Sequence, residues 1–294
     1  MDSGVGGLPY LEKARVLLPA ESFVYLADSA GFPYGTKSGE EIVAIVLDRV
    51  GRLVARFAPK AVVIACNTAS QAALAQARKA FPGLIVVGTV PAVKPAAERS
   101  RSGVIGVMAT AKAVGDPYLD ALVARHAQGR TVLREAAQEL VSFVERRFPG
   151  SSAEERRAAV LPHVERLVAA GADEIVLACT HFLHVADDIA ACAASLAPGR
   201  GVEVVDSRDG VARRLKVLLS ESGLAAAPSG SAPVKGSAPS MGAAKGAGRE
   251  AAKEAGPPAG RDLFLLSSEP PFDGVYDSFA RLYGLRGPEA LGKS

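Results

Sequence analysis

From the first residues to about residue 207, short continuous runs of aliphatic and β-branched residues alternate with longer stretches rich in Ala, Leu and Arg. That order is the sign of parallel βα units. Residues 23–26, 61–65, 84–88, 104–108, 174–178 and 202–205 are apolar throughout instead of alternating, so they read as strands covered on both faces, and they end in polar or glycine-containing turns. Residues 40–57, 70–81 and 153–170 have the length and composition of helices. The pattern predicts an α/β fold built on doubly wound parallel sheet.

The pattern then stops. Residues 225–260 are Ala, Gly, Pro and Ser with scattered Lys and Glu, and contain no aromatic residue. Such a stretch cannot bury enough apolar area to offset its conformational entropy, so residues 225–261 are expected to form a disordered insertion. Order is expected to return at Asp262, where LFLLSS predicts a strand and DGVYDSFARLYGL a short amphipathic helix.

Composition mainly excludes. The chain has 294 residues, 49% of them hydrophobic, which is core enough for two compact lobes or one large domain. The formal net charge is only +3, with Lys and Arg dispersed among acidic residues, unlike the basic stripe of a nucleic-acid binder. No apolar run approaches the roughly 20 residues of a membrane span, and MDSGVGGLPYLEKAR lacks the basic-then-apolar order of a secretory leader. With neither nucleic acid nor membrane as a partner, a cytoplasmic location is expected. Three widely spaced cysteines make no disulfide framework and suit a reducing compartment, so each needs its own account.

Two of them lie in an internal repeat. AVVIACNTAS at residues 61–70 and EIVLACTHFL at residues 174–183 each deliver Ala-Cys and a polar pair at the end of an apolar strand. This places Cys66 and Cys179 at C-terminal strand ends, where open α/β sheets form their ligand crevices. Each is followed by a helix start, which favours negative charge and lowers a thiol pKa from its reference of about 8.5, so both are expected to supply thiolate near neutral pH. A single cysteine after an apolar strand reads more simply as a small buried hydrophobe. The matched contexts favour chemistry, with Asn67 and Thr68 after one cysteine and Thr180 and His181 after the other. Cys192, in the Ala-rich helical run DDIAACAASL, is expected to be inert core.

Two bases at equivalent places in two halves suit a reaction that removes a proton from one face of a carbon and returns one to the other. The α-proton of an amino acid is at least ~10 units less acidic than a thiol, at ~1.36 kcal/mol per unit. The site must therefore supply hydrogen bonds to the substrate carboxylate, exclusion of water and close positioning. Backbone amides and hydroxyls at Ser3-Gly4, Asn67-Thr68 and Thr180-His181 are suitable donors. The other polar residues have plainer readings on their own: His181 and His184 as capping or surface histidines, Asp2 as a turn residue, and Glu145, beside Arg146 and Arg147, as part of a solvated helix face. The Cys-x-His spacing lacks a second ligand pair, so no metal site is expected.

DSGVGGL at residues 2–8, PYGTKS at 33–38, ACNTAS at 65–70 and ACTHF at 178–182 resemble the glutamate racemase family within the aspartate/glutamate racemase superfamily. The likeness continues through VPAVKPA at 90–96, GVIGVMAT at 103–110, VVDS at 204–207 and the closing LFLLSS and DSFARLYGL, leaving the low-complexity segment outside. The resemblance implies an isomerase independent of pyridoxal phosphate, with no cofactor, that interconverts L- and D-glutamate and supplies D-glutamate for peptidoglycan synthesis. It also implies two similar doubly wound lobes with the active site between them, residues 1–93 with 208–224 and 262–294 forming one and residues 94–207 the other. It makes Cys66 the base for D-glutamate, assisted by Asp2, and Cys179 the base for L-glutamate, assisted by His181 and Glu145. Asp2, Ser3, Tyr34, Gly35, Asn67, Thr68, Thr180 and His181 would hold the substrate, and a homodimer is among the assemblies expected. The alternatives are an aspartate racemase or other amino-acid racemase of the superfamily, since pocket volume sets substrate length, and a catalytically weakened small-molecule-binding homologue.

Three features depart from the family pattern. Ala137-Gln138 stands where Cys-Pro commonly precedes the run holding Glu145, and Ala113 stands where a small hydroxyl residue is often found. Family members also carry a short apolar strand ahead of DSG, whereas Met1 directly precedes Asp2 here. A parallel sheet that loses an interior strand leaves unpaired backbone groups and a groove, so further residues forming that strand are expected in the native protein.

Overall fold

The computed structural model describes residues 1–226 and 262–292; the expected insertion lies outside the described residues, apart from its first two positions. The strands are β1 (Val24–Ala27), β2 (Ala61–Ile64), β3 (Ile85–Gly88), β4 (Val104–Ala109), β5 (Thr131–Ala136), β6 (Glu174–Leu177), β7 (Glu203–Val205), β8 (Leu263–Leu266) and β9 (Arg286–Ala290). All pair in parallel, in the orders β1-β8-β9, β2-β3 and β5-β4-β6-β7. The protein is thus α/β with parallel sheets, as the alternating pattern predicts.

The strands read from apolar runs are all present, with ends displaced by no more than one residue. β5 and β9 escape that criterion because neither is a continuous apolar run, and both lie at sheet edges. An edge strand keeps one flank in water and tolerates residues that an interior strand rejects. β5 is TVLREA, exposed at three of its six positions, and β9 is RGPEA, with a glycine and a proline inside it.

Local sequence explains the helices that matter. Helix Gly39–Phe57 begins at a capping box in which Ser38 Oγ accepts from the Glu41 amide at 3.2 Å and Glu41 Oε2 accepts from the Ser38 amide at 2.7 Å. Ser152 and Glu155 repeat the device at helix Ala153–Ala169. Helix Asn67–Ala80 starts three residues earlier than the pattern suggests, directly after Cys66. Among the described residues, no helix is long and apolar enough to cross a membrane.

Met1 and Asp2 stitch β1 to β2. The Asp2 amide donates to Leu26 O at 3.0 Å and Asp2 O accepts from the Asp28 amide at 2.9 Å, while Met1 O accepts from the Ala65 amide at 2.8 Å and the Met1 ammonium donates to Val63 O at 2.8 Å. Behind Met1 the space between the two strands is a cavity of about 510 Å³, lined by Val24 and Tyr25 on one side, Val62 and Val63 on the other, and Leu11 and Leu215 beneath. These bonds fix Asp2 where the Gly-rich loop of residues 3–7 leaves the sheet.

Candidate active site

β2 and β6 deliver the two cysteines in the same way. Each strand is followed by alanine and then by a cysteine in extended backbone, at φ −139°, ψ 122° for Cys66 and φ −132°, ψ 134° for Cys179. Each cysteine stands at the N-cap of a helical segment, helix Asn67–Ala80 for Cys66 and the 3₁₀ segment Thr180–Val185 for Cys179. Both thiols are buried, at 6% and 8% exposure.

The partners of the two thiols differ. Cys66 Sγ lies 3.9 Å from Ser3 Oγ, and Asp2 is the charged group beside it. Asp2 is fully buried, and burial raises its carboxyl above the ordinary value while the nearby His181 opposes the shift. Burial first, then the Asp2 charge, push the Cys66 thiol well above its ordinary range. The expectation that both cysteines supply thiolate near neutral pH therefore fails for Cys66. Its helix N-terminus does contribute a favourable bond from the Ala69 amide, but burial and an adjacent acid outweigh it.

On the other flank Cys179 Sγ lies 4.0 Å from His181 Nδ1, and His181 Nε2 lies 2.9 Å from Glu145 Oε2. Burial opposes a charge on His181, yet hydrogen bonds and charge from Cys179 and Glu145 overcome it and hold the imidazole well above its usual value. Glu145 Oε2 also accepts from the Val5 amide at 3.0 Å, and Glu145 Oε1 accepts from the Tyr276 hydroxyl at 3.1 Å. At 3% exposure, Glu145 is no part of a solvated helix face; Arg146 and Arg147 point outward and it points in. His184 is also neither a cap nor a surface residue. It is buried against Phe148, Phe279 and Tyr283, and burial pushes it down to about 3.

The Gly-rich loop is pressed against this second flank. A Cβ on Gly4 would stand 2.4 Å from Glu145 Oε2, and one on Gly6 would stand 2.5 Å from Thr180 Oγ1. Across the site, Thr180 Oγ1 donates to Asp2 Oδ2 at 3.4 Å and Asn67 Nδ2 donates to Ala178 O at 2.8 Å, so each cysteine-bearing turn is tied to the opposite half. Asp2 Oδ1 and Asn67 Oδ1 are buried without a hydrogen-bond partner. Acceptors left open in this way are suited to a donor brought by a ligand.

Ser3, Tyr34, Gly35, Cys66, Asn67, Thr68, Cys179, Thr180 and His181 all border one cavity of about 30 Å³, and Asp2 and Glu145 stand behind it. That volume holds about one water and no amino acid, so the two flanks must part to admit a substrate. The Tyr34 ring faces the cavity, but its hydroxyl donates to Asp28 Oδ2 at 2.7 Å, and Asp28 is in turn paired with Arg49. Phe32, Pro33, Thr110, Gln138, Val141 and Ala178 complete the wall and are not among the site residues expected from the sequence. Phe32 and Thr110 adjoin or end motifs already recognised, and Gln138 belongs to a noted departure. Tyr276 carries no sequence signal.

The parallel α/β fold and two cysteines on opposed strand ends define a class of racemases. The chain belongs to the Asp/Glu/Hydantoin racemase family, which it matches over residues 11–215. It is 47% identical over 226 residues to the glutamate racemase of Sphingopyxis alaskensis, covering 74% of this chain and 80% of that protein. It is 43% identical over 223 residues to the glutamate racemase of a Roseiflexus species, covering 76% and 79%. The crystal structure of Escherichia coli glutamate racemase with L-glutamate and an activator aligns with a TM-score of 0.75 at 29% identity, covering 98% of this chain and 95% of that one.

Proposed function

We infer that this chain is a glutamate racemase, an isomerase that interconverts L- and D-glutamate without pyridoxal phosphate and feeds D-glutamate to peptidoglycan synthesis. The observation that carries the mechanism is the pair of buried cysteines at equivalent strand ends, bordering one cavity with unlike partners. Residues 1–93 with 208–224 and 262–292 form one lobe in this reading and residues 94–207 the other. A cytoplasmic location and a homodimer belong to the same proposal; sedimentation of the purified protein tests the dimer.

With L-glutamate bound, the Cys179 thiolate, stabilised by the His181 cation, takes the α-proton. The C–H electron pair is left on the α-carbon and spreads into the carboxylate, and the Cys66 thiol then protonates the opposite face. The products are D-glutamate, a Cys179 thiol and a Cys66 thiolate, and exchange with solvent resets the pair. In the reverse direction Asp2 accepts the proton that frees the Cys66 thiolate. Amides at the start of helix Asn67–Ala80 are oriented to receive the substrate carboxylate and its growing charge, and the open Asn67 Oδ1 is an acceptor for the ammonium.

Circular dichroism of the purified protein on L-glutamate, L-aspartate and buffer is the direct test. Loss of ellipticity is expected with L-glutamate; loss with L-aspartate alone would move the substrate assignment, and loss with neither would overturn the activity. In heavy water at low conversion, product should carry deuterium at the α-carbon while recovered substrate stays protiated. Label in both would indicate one base serving both faces.

A further inference from the structure

Resting on the racemase reading, we propose that the C-terminal helix Gly274–Leu282 takes part in the acid/base apparatus, with Tyr276 as the positioning residue that fixes Glu145, and through it His181, behind Cys179. The helix lies beyond residues 11–215, over which the chain matches the family, and although DSFARLYGL resembles the family's closing helix, that resemblance assigns none of its residues to the site.

Glu145 is reached by three donors from three parts of the chain. Oε2 takes the Val5 amide at 3.0 Å and His181 Nε2 at 2.9 Å, and Oε1 takes the Tyr276 hydroxyl at 3.1 Å. A carboxylate held by a single oxygen still rotates about its terminal bond; bonds to both oxygens fix its plane and so the direction offered to the imidazole. Burial and the Glu145 charge raise the Tyr276 hydroxyl above its ordinary range, so it remains a donor. The residue that caps the same helix acts on the other polar group of Val5. Tyr283 contacts His184 Nδ1 at 3.0 Å, and His184 Nε2 donates to Val5 O at 3.0 Å. Both polar groups of Val5, three residues after Asp2, are thereby held by residues that this helix orients.

Since the two enantiomers have equal free energy, kcat/KM must be equal in both directions for any variant, and loss of activity alone cannot show which flank was damaged. Primary isotope effects can. With α-deuterated L-glutamate the labelled step is removal by Cys179, and with α-deuterated D-glutamate it is removal by Cys66. Tyr276→Phe keeps the ring and removes only the donor to a charged group, so kcat/KM should fall roughly tenfold, within the range for such bonds. The isotope effect on kcat/KM should rise for the L substrate and fall for the D substrate, because the Cys179 step becomes more limiting. A role confined to stability would lower the melting temperature and leave both isotope effects at their wild-type values, which would overturn the proposal. Isotope effects moving in the same sense for both enantiomers, or unchanged activity, would overturn it too. Wild-type protein inactive on both enantiomers would instead remove the racemase reading beneath it.

Discussion

The Cys66 flank and the Cys179 flank begin from one sequence device and end with opposite electrostatics. Both offer a buried sulfur at the end of a parallel strand and the start of a helical segment. On the first flank burial and an acidic neighbour keep the sulfur protonated; on the second an imidazole held above its ordinary value supplies a positive partner. The repeat sets where the two sulfurs stand, and residues outside it, Asp2 and Glu145, set the electrostatics around each. A racemase needs this difference. Two thiolates would lack a proton donor and two thiols would lack a base.

Removing either sulfur breaks the comparison most severely. Cys66→Ala and Cys179→Ala should each lower racemisation by at least ~10³-fold in both directions, the usual scale for losing an essential acid or base. The circular dichroism assay measures this directly. Serine at either position should be nearly as damaging, since its hydroxyl supplies almost no anion at neutral pH.

The next largest effect separates two glycines of the site. Alanine at Gly4 brings its Cβ to 2.4 Å from Glu145 Oε2, whereas at Gly35 it meets nothing within 4 Å. Gly4→Ala must displace the carboxylate that orients His181, so a loss of roughly tenfold to a hundredfold in kcat/KM is expected, with about 1–3 kcal/mol of overpacking cost. Gly35→Ala should leave stability within about 0.5 kcal/mol, since its Cβ meets nothing, and any loss of activity there would come from contact with the substrate and not from packing. Parallel assays and denaturant melts of the two variants check the contrast; equal losses of stability would mean that the loop packs otherwise.

Legibility in the sequence divides along the same line. Strands written as continuous apolar runs announce themselves, so β1 to β4 and β6 to β8 are legible almost to the residue. β5 and β9 are not, because charged residues, glycine and proline interrupt them at largely exposed positions. The cysteines are legible because each ends such a run. Glu145 is illegible from its neighbours: two arginines come directly after it, and only the turn of its helix puts it inside while they face solvent. Tyr276 and His184 owe their positions to packing between segments more than ninety residues apart in sequence, a distance at which no local pattern operates.

His184 gives a smaller effect, on stability. It is buried and neutral, with its value lowered from 6.5 to about 3. A base whose folded value is depressed contributes stability that is fully present above its unfolded value and is lost as pH falls towards the folded one. The wild type should therefore lose, between about pH 6.5 and 3, on the order of a few kcal/mol that His184→Gln does not lose. Urea melts of the two proteins across that range measure the difference. Parallel pH curves would show that His184 takes up its proton alike in the folded and unfolded chain, and that Nδ1 is not held as an acceptor for the Tyr283 hydroxyl.

Cys192 completes the comparison from outside the site. It is as buried as the other two, at 1% exposure, but lies within helix Ala186–Leu196 among alanines. Burial raises its thiol above the ordinary value, and among the described residues no histidine or carboxylate hydrogen-bonds to it. Cys192→Ala should leave kcat/KM within about twofold and cost about 1 kcal/mol, the scale of a small core truncation. The more discriminating measurement is alkylation followed by peptide mass mapping. Thiolate is the reacting species, so Cys179 beside the His181 cation should be modified ahead of Cys66 and Cys192, whose thiols burial raises. Modification of Cys66 ahead of Cys179 would reverse the acid and base assigned to the resting protein, and early modification of Cys192 would show that burial alone does not set the order.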